Sequence, residues 1–323
     1  MERNSYPKVS IIIPVKESNE NLQECLKHCC RLDYPDYEII VLPDGEEKLS
    51  YPQVKVIPTG TIGPSEKRDI GIKYAQGEIL AFLDDDAFPT KDWLKRAIKN
   101  FGDEDVVAVG GPAITPESDN LRQKASGLVY SSFLASGPNT YRYIPKRKCL
   151  VDDYPSCNFL VRKSIIENIG GFGSKFWPGE DTKLCLHITQ DLNKKIIYDP
   201  EVLIHHHRRP LYGRHLRQVA NYALHRGYFV KKFPETSRRI FYFIPSLFVF
   251  GLLLGWLLGL IQPLFYKIYF GTILFYLLIV LLTSLKNRNP KKAFLVFLGI
   301  IATNLTYGIF FLKGLFSRRL KEE

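Results

Sequence analysis

Three consecutive carboxylates, Asp84, Asp85 and Asp86, directly follow an apolar run of strand length at residues 79–83. Like charges this close repel one another, so the arrangement is tolerable mainly where a cation lies between them or solvent fills the site. Carboxylate oxygens suit hard divalent cations such as Mg²⁺ and Mn²⁺. The alternative is an acidic turn that merely precedes a helix beginning near Thr90, and the triplet alone does not decide between the two.

Two further acidic positions lie at the ends of predicted elements. Asp44 follows a predicted strand at residues 37–42, and Glu180 and Asp181 open a predicted helix that carries Leu184. Open α/β sheets bind ligands at the carboxyl ends of their strands, which is where Asp44 and the triplet are expected. Acidic residues are also favoured in a helix's first turn by its dipole, so simple capping is the alternative role for Glu180 and Asp181.

Three histidines in a row, His205, His206 and His207, follow a short predicted strand at residues 202–204. Successive side chains alternate faces if the strand continues, so at most one or two of them can enter a cleft. The functional interpretation is that His206 or His207 contributes a metal ligand or a cationic contact to a diphosphate. The alternative is that the histidines are solvated at a sheet edge.

The basic residues near these segments also have a functional and a purely structural interpretation. Lys67 and Arg68 lie at the start of a predicted helix, and Arg208 and Arg209 follow the histidines. Each is predicted to be either a phosphate contact or plain surface.

The elements that would position these residues alternate between strand and helix. Helices are predicted between most of the strands, at about residues 21–32, 64–76 and 90–102 and after a capping box at Ser164. The predicted strands are residues 9–15, 37–42, 54–58, 79–83, 106–109, 156–161, 195–198 and 202–204. This alternation predicts an α/β domain with a mostly parallel sheet flanked by helices. Residues 112–150 show no clear periodicity, and no G-x-G-x-x-G motif follows the first strand, which argues against a dinucleotide site.

The charge of the chain is unevenly distributed. Of the net charge of +11, residues 1–201 contribute −4 and residues 202–323 contribute +15. Basic residues frame long apolar segments in the second part, so the predicted partner is an anionic membrane surface and not nucleic acid.

The second part is predicted to meet the membrane in two ways. Residues 212–233 combine an apolar stripe at helical spacing with a basic flank, which suits a helix in the headgroup plane or one packed on the catalytic domain. Three apolar segments follow, at residues 240–261, 264–285 and 293–316, and each is long enough to span a bilayer. The alternative for the third is a re-entrant or interfacial segment, because the basic residues that follow it would lie outside the cell if it spanned the membrane. The loop at residues 286–292 is basic, which favours the cytosolic side of the membrane, and the catalytic domain is predicted on the same side.

The cysteines and the N-terminus agree with a cytosolic first domain. Cys25 and Cys29 lie on the apolar side of a predicted helix, and no C-x-x-C motif occurs among the six cysteines. We interpret them as small hydrophobic residues in a reducing compartment. The first apolar run, at residues 9–15, is shorter than the apolar core of a signal peptide.

Four of these features, in order and spacing, resemble the family 2 glycosyltransferases, which are inverting enzymes with a GT-A nucleotide-sugar-binding domain. The resemblance covers roughly residues 8–240, and the segments 63–71 and 206–210 look like those of a membrane-bound bacterial or archaeal subgroup. Its motifs are Ile-Ile-Pro14 in the first strand, Asp44, the triplet in place of the family's D-x-D, and Gly179-Glu180-Asp181 in place of its G-E-D.

The resemblance implies a role for each matching residue. Asp44 would bind the base or ribose, with Pro14 and Glu17 in the wall around the base, while Asp84 and Asp85 would face the donor. Asp86 would bind Mn²⁺ or Mg²⁺. Asp181 is similar to the family's general base, with Glu180 as the first alternative.

The resemblance also implies a division of the chain and a reaction. The expected parts are a catalytic domain at residues 1–210, a basic amphipathic segment at 211–239 and a transmembrane region of two to three helices at 240–323. The expected donor is a nucleotide sugar, with UDP favoured, and the acceptor is a lipid-linked or cell-surface glycan.

Two departures from the family pattern refine this expectation. Asp69 stands where many relatives have Asn, and no Q-x-x-R-W motif follows Asp181, which favours addition of single sugars over polymer extrusion. The competing hypotheses are a polyprenyl-phosphate glycosyl synthase, which needs no base such as Asp181, and a catalytically inactive membrane scaffold.

Overall fold

A computed structural model describes residues 6–321, which form two compact units. The first unit comprises residues 6–114 and 144–207, and the second comprises residues 115–143 and 208–321. The second unit therefore takes in a segment that the sequence analysis assigned to the catalytic domain. It also joins the predicted amphipathic segment to the predicted transmembrane region.

The first unit is built on two sheets. The strands, in chain order, are β1 (Val9–Pro14), β2 (Tyr37–Leu42), β3 (Val54–Val56), β4 (Ile79–Leu83), β5 (Ala87–Pro89), β6 (Val106–Gly110), β7 (Ala113–Ile114), β8 (Cys149–Val151), β9 (Asn158–Arg162), β10 (Lys195–Tyr198) and β11 (Ile204–His206). The larger sheet has the order β3-β2-β1-β4-β9-β6-β10-β8, and the smaller has the order β5-β11-β7.

The larger sheet is mixed. Strand β1 pairs in parallel with β2 and β4, as the strand and helix alternation predicts. Strand β9 runs antiparallel to both of its neighbours, β4 and β6, and β8 runs antiparallel to β10. The predicted α/β architecture is thus confirmed, with antiparallel strands in a sheet that was expected to be mostly parallel.

The helices complete the two units. They are α1 (Glu20–Cys29), α2 (Pro64–Tyr74), α3 (Trp93–Ile98), α4 (Leu121–Ser131), α5 (Phe133–Ser136), α6 (Lys163–Ile169), α7 (Glu180–Leu186), α8 (Gly213–Lys232), α9 (Pro234–Ser237), α10 (Ile240–Leu254), α11 (Leu264–Leu285) and α12 (Pro290–Phe316). Helix α4 lies in the stretch that showed no clear periodicity, so the sequence pattern did not predict it.

Two predicted helix starts are also corrected. Asp92 directly precedes α3, whereas the Thr90 hydroxyl donates a hydrogen bond to the Leu203 carbonyl instead of capping the helix. Ser164 lies inside α6, which follows directly on Arg162, so the predicted capping box is not formed. The end of this helix at Gly170 is as predicted, because Gly170 adopts a left-handed conformation there.

The core of the first unit fixes the strand ends at which the site is built. On α1, Leu22, Cys25, Leu26 and Cys29 are buried in one hydrophobic cluster with residues of β1 and β4, which confirms that Cys25 and Cys29 act as small hydrophobic side chains. Burying a leucine or isoleucine side chain contributes about 1.5–3 kcal/mol, so this layer holds the strands firmly. Helix α2 approaches β1 closely, since a Cβ at Gly71 would lie 2.7 Å from the Ile12 side chain.

The second unit is a helical assembly around α12. The buried side chains of Ala125 and Val129 on α4 pack with Val296 and Ile300 on α12. Helix α8 lies along the same helix, and a Cβ at Gly227 would lie 2.0 Å from the Phe311 carbonyl oxygen. Part of the apolar stripe of α8 therefore packs on α12, whereas Tyr222 is 48% exposed. A position of this helix in the headgroup plane stays a prediction.

Three helical segments of this unit are long and apolar enough to cross a membrane. They are residues 240–260, where α10 continues into a 3₁₀ turn, together with α11 and α12. Their bounds agree closely with the three predicted spans.

Candidate active site

Asp84, Asp86 and His206 come together at the carboxyl end of β4. One ligand atom from each residue lies within 4.8 Å of the other two. Residue 206 is brought there by the pairing of β11 with β5, which sets His206 opposite Ala87, just after the triplet. The His206 Nε2 atom is 3.0 Å from Asp86 Oδ1. This is the cluster that the sequence analysis proposed for Asp86 and one of the histidines.

The three histidines divide between two faces, as their alternation predicts. His207 Nε2 lies 2.9 Å from Glu24 Oε2, and the His205 ring stacks on Phe88 at 4.9 Å between centroids. His207 is therefore not part of the carboxylate cluster, which corrects its prediction as a metal ligand. The alternative of a solvated sheet edge is also wrong, because the side chains of His206 and His207 are only 16% and 14% exposed.

The Asp86 carboxylate shifts the pKa values of its neighbours His206 and Asp85. Burial lowers the pKa of His206, but the adjacent Asp86 carboxylate outweighs this effect and raises the value to about 10. Burial, followed by the charge of Asp86, raises the pKa of Asp85 to about 6. The site thus concentrates negative charge that a cation would stabilise.

Asp85 is held away from the cluster by Asn19. Asn19 Nδ2 donates to Asp85 Oδ2 at 3.0 Å and to the Glu17 carbonyl at 3.2 Å, while Asn19 Oδ1 accepts from the Leu22 amide and so caps α1. Asp85 therefore lies beside the turn that carries Glu17. This turn follows the buried Pro14, and Glu17 itself is exposed. Asn19 was not predicted as part of the site, although its position just before a helix is typical of a cap.

Arg68 joins the triplet to the segment around Asp181. Its two terminal nitrogens lie 2.9 Å from Asp84 Oδ1 and 2.9 Å from Glu180 Oε1. Burial lowers the pKa of Arg68, but the carboxylates of Asp84, Glu180 and Asp181 outweigh it, so the net shift is upward. The alternative of plain surface for Arg68 is wrong, since only 3% of the residue is exposed, and its role as a donor contact stays a prediction.

Lys67 forms an ion pair with Asp44, on the side of the site where the base is predicted to bind. Its ammonium donates to the Asp44 carboxylate and to the carbonyls of Val15 (2.6 Å) and Leu42 (3.2 Å). The hydrogen bond from Lys67 is the main cause that lowers the pKa of Asp44. Lys67 is likewise buried and not plain surface. Helix α2 offered a signal for both cations, because a helix covering a buried sheet without an apolar stripe must bury some of its charged residues in pairs.

Asp69 fixes the loop that leads to α7. Its carboxylate accepts hydrogen bonds from the amides of Phe172 (2.7 Å) and Gly173 (3.2 Å). Burial is the main cause that raises the pKa of Asp69. Gly171 adopts φ +86° there, and a Cβ would lie 2.4 Å from Asp69 Oδ1. The Asp at this position, a departure from the family pattern, thus has a structural role.

Asp181 and Glu180 have different surroundings at the start of α7. Glu180 is buried, paired with Arg68, and accepts a hydrogen bond from the Gly179 amide at 3.0 Å. Asp181 is half-buried, and its Oδ1 accepts from the adjacent Thr182 amide at 2.8 Å. Because Glu180 is fully engaged in a buried ion pair, Asp181 is the better placed of the two to accept a proton from a substrate.

Comparison with known proteins places the chain in a family context. Residues 10–170 match the family model of glycosyl transferase family 2. Glycosyltransferase AglE of Haloferax volcanii is 28% identical over 222 residues, which make up 64% of this chain and 69% of that protein.

Two further similarities extend over nearly the whole chain. The dolichyl N-acetyl-α-D-glucosaminyl phosphate 3-β-D-2,3-diacetamido-2,3-dideoxy-β-D-glucuronosyltransferase of Methanococcus voltae is 24% identical over 326 residues, covering 95% of this chain and 97% of that protein. The structure of mannosyltransferase PcManGT from Pyrobaculum calidifontis, in complex with GDP-Man and Mn²⁺, superposes with a TM-score of 0.59 at 17% identity. That likeness covers 98% of this chain and 89% of the other, and it shows a common fold.

Proposed function

Because the chain belongs to glycosyltransferase family 2, we propose that it adds single sugars from a nucleotide-diphosphate donor to a lipid-linked or cell-surface glycan, with inversion at the anomeric carbon. The observation that carries this proposal is the pair of Arg68 contacts to Asp84 and Glu180. They hold the carboxylate cluster and the segment with Asp181 in one buried ionic network, so a donor bound at one can meet an acceptor at the other.

The cluster of Asp84, Asp86 and His206 fits a divalent cation. Two carboxylates and an imidazole converge within 4.8 Å, and this donor set suits Mn²⁺ somewhat better than Mg²⁺, which prefers oxygen ligands alone. A bound cation would neutralise charge that develops on the departing diphosphate. Asp85 and Asp44, with Pro14 and Glu17, would hold the nucleoside, and Lys67 would orient Asp44.

Asp181 would act as the general base. An acceptor hydroxyl needs a positioned carboxylate to take its proton as its oxygen bonds to the anomeric carbon. The bond from that carbon to the diphosphate oxygen breaks on the opposite face, and the nucleoside diphosphate leaves. Glu180 is held by Arg68 and the Gly179 amide, which supports assigning the base to Asp181.

The membrane setting supports a lipid-linked acceptor. Three helices of the second unit are apolar enough to span a bilayer, and the Methanococcus relative, named for a dolichyl-phosphate-linked sugar acceptor, matches almost the whole chain. The basic residues Lys286 and Arg288 lie between the second and third segments, and Lys291 and Lys292 lie in the first turn of α12. This basic stretch favours a cytosolic catalytic unit. We retain UDP-sugars as the favoured donors, with GDP-sugars as the first alternative because the Pyrobaculum neighbour was solved with GDP-Man.

A transfer assay with the full chain in detergent tests this proposal. Labelled UDP-, GDP-, CDP- and dTDP-sugars are each combined with Mn²⁺ and with either polyprenyl phosphate or a glycosylated phosphopolyprenol. We expect one donor class to glycosylate the sugar-bearing lipid, and EDTA to stop the reaction. Efficient transfer to bare polyprenyl phosphate without a need for Asp181 would instead identify a polyprenyl-phosphate glycosyl synthase.

A further inference from the structure

Trp177 is a large apolar side chain left exposed on a loop that is otherwise tied down. Its exposed fraction is 56%, whereas Trp93 is fully buried and donates to Asn158 Oδ1 at 2.9 Å. The third tryptophan, Trp256, lies in the apolar segment 240–260. Trp177 is therefore the tryptophan that the first unit presents to solvent.

We propose that the Trp177 indole is a platform for a sugar ring of the acceptor, so the enzyme acts on an acceptor that already carries a sugar and not on bare polyprenyl phosphate. This inference rests on the proposed function. It assigns the acceptor side of the site to the loop between Phe172 and Gly179.

The loop is anchored at both ends. At its start, the Asp69 carboxylate holds the amides of Phe172 and Gly173, and Lys183 Nζ donates to the Gly173 carbonyl at 2.6 Å. At its end, the Gly179 amide donates to Glu180, which is itself bound by Arg68. Between the anchors, Phe176 is buried and Trp177 is not. A side chain presented from a loop fixed in this way is preorganised for binding, because little further ordering is required.

The position of Trp177 connects it to the reacting group. It precedes Asp181 by four residues, so their Cα atoms are at most about 14 Å apart even for an extended chain. An acceptor sugar and its reacting hydroxyl can span such a separation. The negative face of an indole attracts the slightly positive C–H hydrogens on the apolar face of a pyranose, while the hydroxyl groups at the ring edge stay free for hydrogen bonds. A bare phosphate offers no such face.

The test uses the full chain, with Trp177→Ala, Trp177→Phe and the unchanged protein compared under transfer to a glycosylated phosphopolyprenol. We expect Trp177→Ala to raise the acceptor KM by roughly 10-fold, since an aromatic contact is worth about 0.5–1.5 kcal/mol beyond its buried area. Donor affinity and melting temperature should change little, and Trp177→Phe should recover most of the loss. Intrinsic fluorescence should change when the sugar-bearing lipid is added to the unchanged protein but not to Trp177→Phe, and bare polyprenyl phosphate should give no change in either.

Two results would overturn the inference while leaving the proposed function intact. One is an unaltered acceptor KM in Trp177→Ala with normal binding to lipid vesicles. The other is an unaltered acceptor KM with weaker binding of Trp177→Ala to lipid vesicles, which would make Trp177 a membrane contact. Equal use of bare polyprenyl phosphate and the sugar-bearing lipid would contradict both the inference and the proposed acceptor. If no donor supports transfer in the unchanged protein, the proposed function itself fails.

Discussion

Adjacent histidines with different partners allow the carboxylate cluster to be tested with an internal control. His206 lies in the cluster with Asp84 and Asp86, whereas His207 is hydrogen-bonded to Glu24. We expect His206→Ala and Asp86→Ala each to weaken Mn²⁺-dependent binding of the nucleoside diphosphate by at least about 10-fold, because each removes a direct ligand. His207→Ala should bind the nucleoside diphosphate nearly as tightly as the unchanged protein does.

Calorimetry with UDP or GDP, with Mn²⁺ or with EDTA, measures this difference. Equal affinity of all three variants for the nucleoside diphosphate would show that the metal site lies elsewhere in the chain.

At this scale the sequence indicated the acidic residues but not the groups that hold them. Asp84, Asp86 and Asp181 could be found because carboxylates at strand and helix ends stand out from their apolar surroundings. The ion pairs of Arg68 could not be found, because they join residues that are 16 and 112 positions apart. Only the packing of α2 against the sheet brings them together.

At the scale of elements, Arg68 connects α2, the end of β4 and the start of α7. A planar guanidinium can bond two carboxylates at fixed angles, and a lysine at this buried position cannot reproduce both contacts. We therefore expect Arg68→Lys to lower stability by about 1–3 kcal/mol through the carboxylate left unpaired, and to reduce transfer strongly. Arg96→Lys is the matched control, since Arg96 pairs with Asp92 and Glu201 at the surface and its loss should change the melting temperature little.

Thermal unfolding and transfer rates of both variants test this role. An Arg68→Lys protein as stable and as active as the Arg96→Lys protein would show that the bridge is dispensable.

A buried histidine joins three helices of the second unit. The His215 ring nitrogens lie 2.8 Å from Ser126 Oγ on α4 and 2.9 Å from Thr303 Oγ1 on α12. Burial lowers the pKa of His215 to about 4. An unfolded histidine binds a proton below a pH of about 6.5, so the unfolded state gains protons first and this part of the stability is lost as the pH falls from about 6.5 to about 4.

The loss attributable to His215 should amount to about 2–3 kcal/mol over that range. Melting temperatures of the detergent-solubilised chain, measured between pH 7 and pH 4, should fall less steeply in His215→Gln than in the unchanged protein. Parallel curves for the two proteins would contradict a neutral, buried His215.

Element prediction succeeded where the pattern was local and failed where packing decided. Strand β2 and helix α11 have the predicted bounds, because apolar runs of these lengths leave little choice. Helix α4 was missed because its buried residues include the small Ser126 and Gly127, which carry little hydrophobic signal. Their burial depends on distant parts of the chain, because Ser126 Oγ lies 2.8 Å from His215 Nδ1 on α8 and a Cβ at Gly127 would lie 2.0 Å from Thr115 Oγ1.

At the scale of the whole molecule, the predicted spans imply a definite orientation. A reporter fused at residue 1 should lie in the cytosol, because the basic loop at residues 286–292 is expected on the same side as the catalytic unit. A reporter inserted between Gln262 and Pro263, in the short turn between the first two spans, should lie on the opposite side. Accessibility of the two reporters in intact cells measures this, and an extracytoplasmic reporter at residue 1 would contradict both the topology and a nucleotide-sugar donor.

The number and bounds of the apolar segments could be predicted, since about 20 uncharged residues form a signal that needs no tertiary information. The grouping of residues 115–143 with the C-terminal helices could not, because it depends on contacts such as Val129 with Val296 across a long sequence separation. For the same reason, the close packing of α8 along α12 could not be predicted.

Sugar transfer by direct displacement, with Asp181 as the base, is tested most directly by one comparison. Asp181→Asn keeps the shape of the side chain and removes its basicity, while Asp191→Asn changes an exposed carboxylate in the turn that follows α7 and serves as the control. With Mn²⁺, donor and a sugar-bearing lipid, we predict that Asp181→Asn transfers about 10²–10⁴-fold more slowly with donor binding intact. Asp191→Asn should keep its rate, and the product of the unchanged protein should carry the inverted anomeric configuration. A near-normal transfer rate in Asp181→Asn would contradict the role of Asp181 as the base, and a retained anomeric configuration would contradict direct displacement.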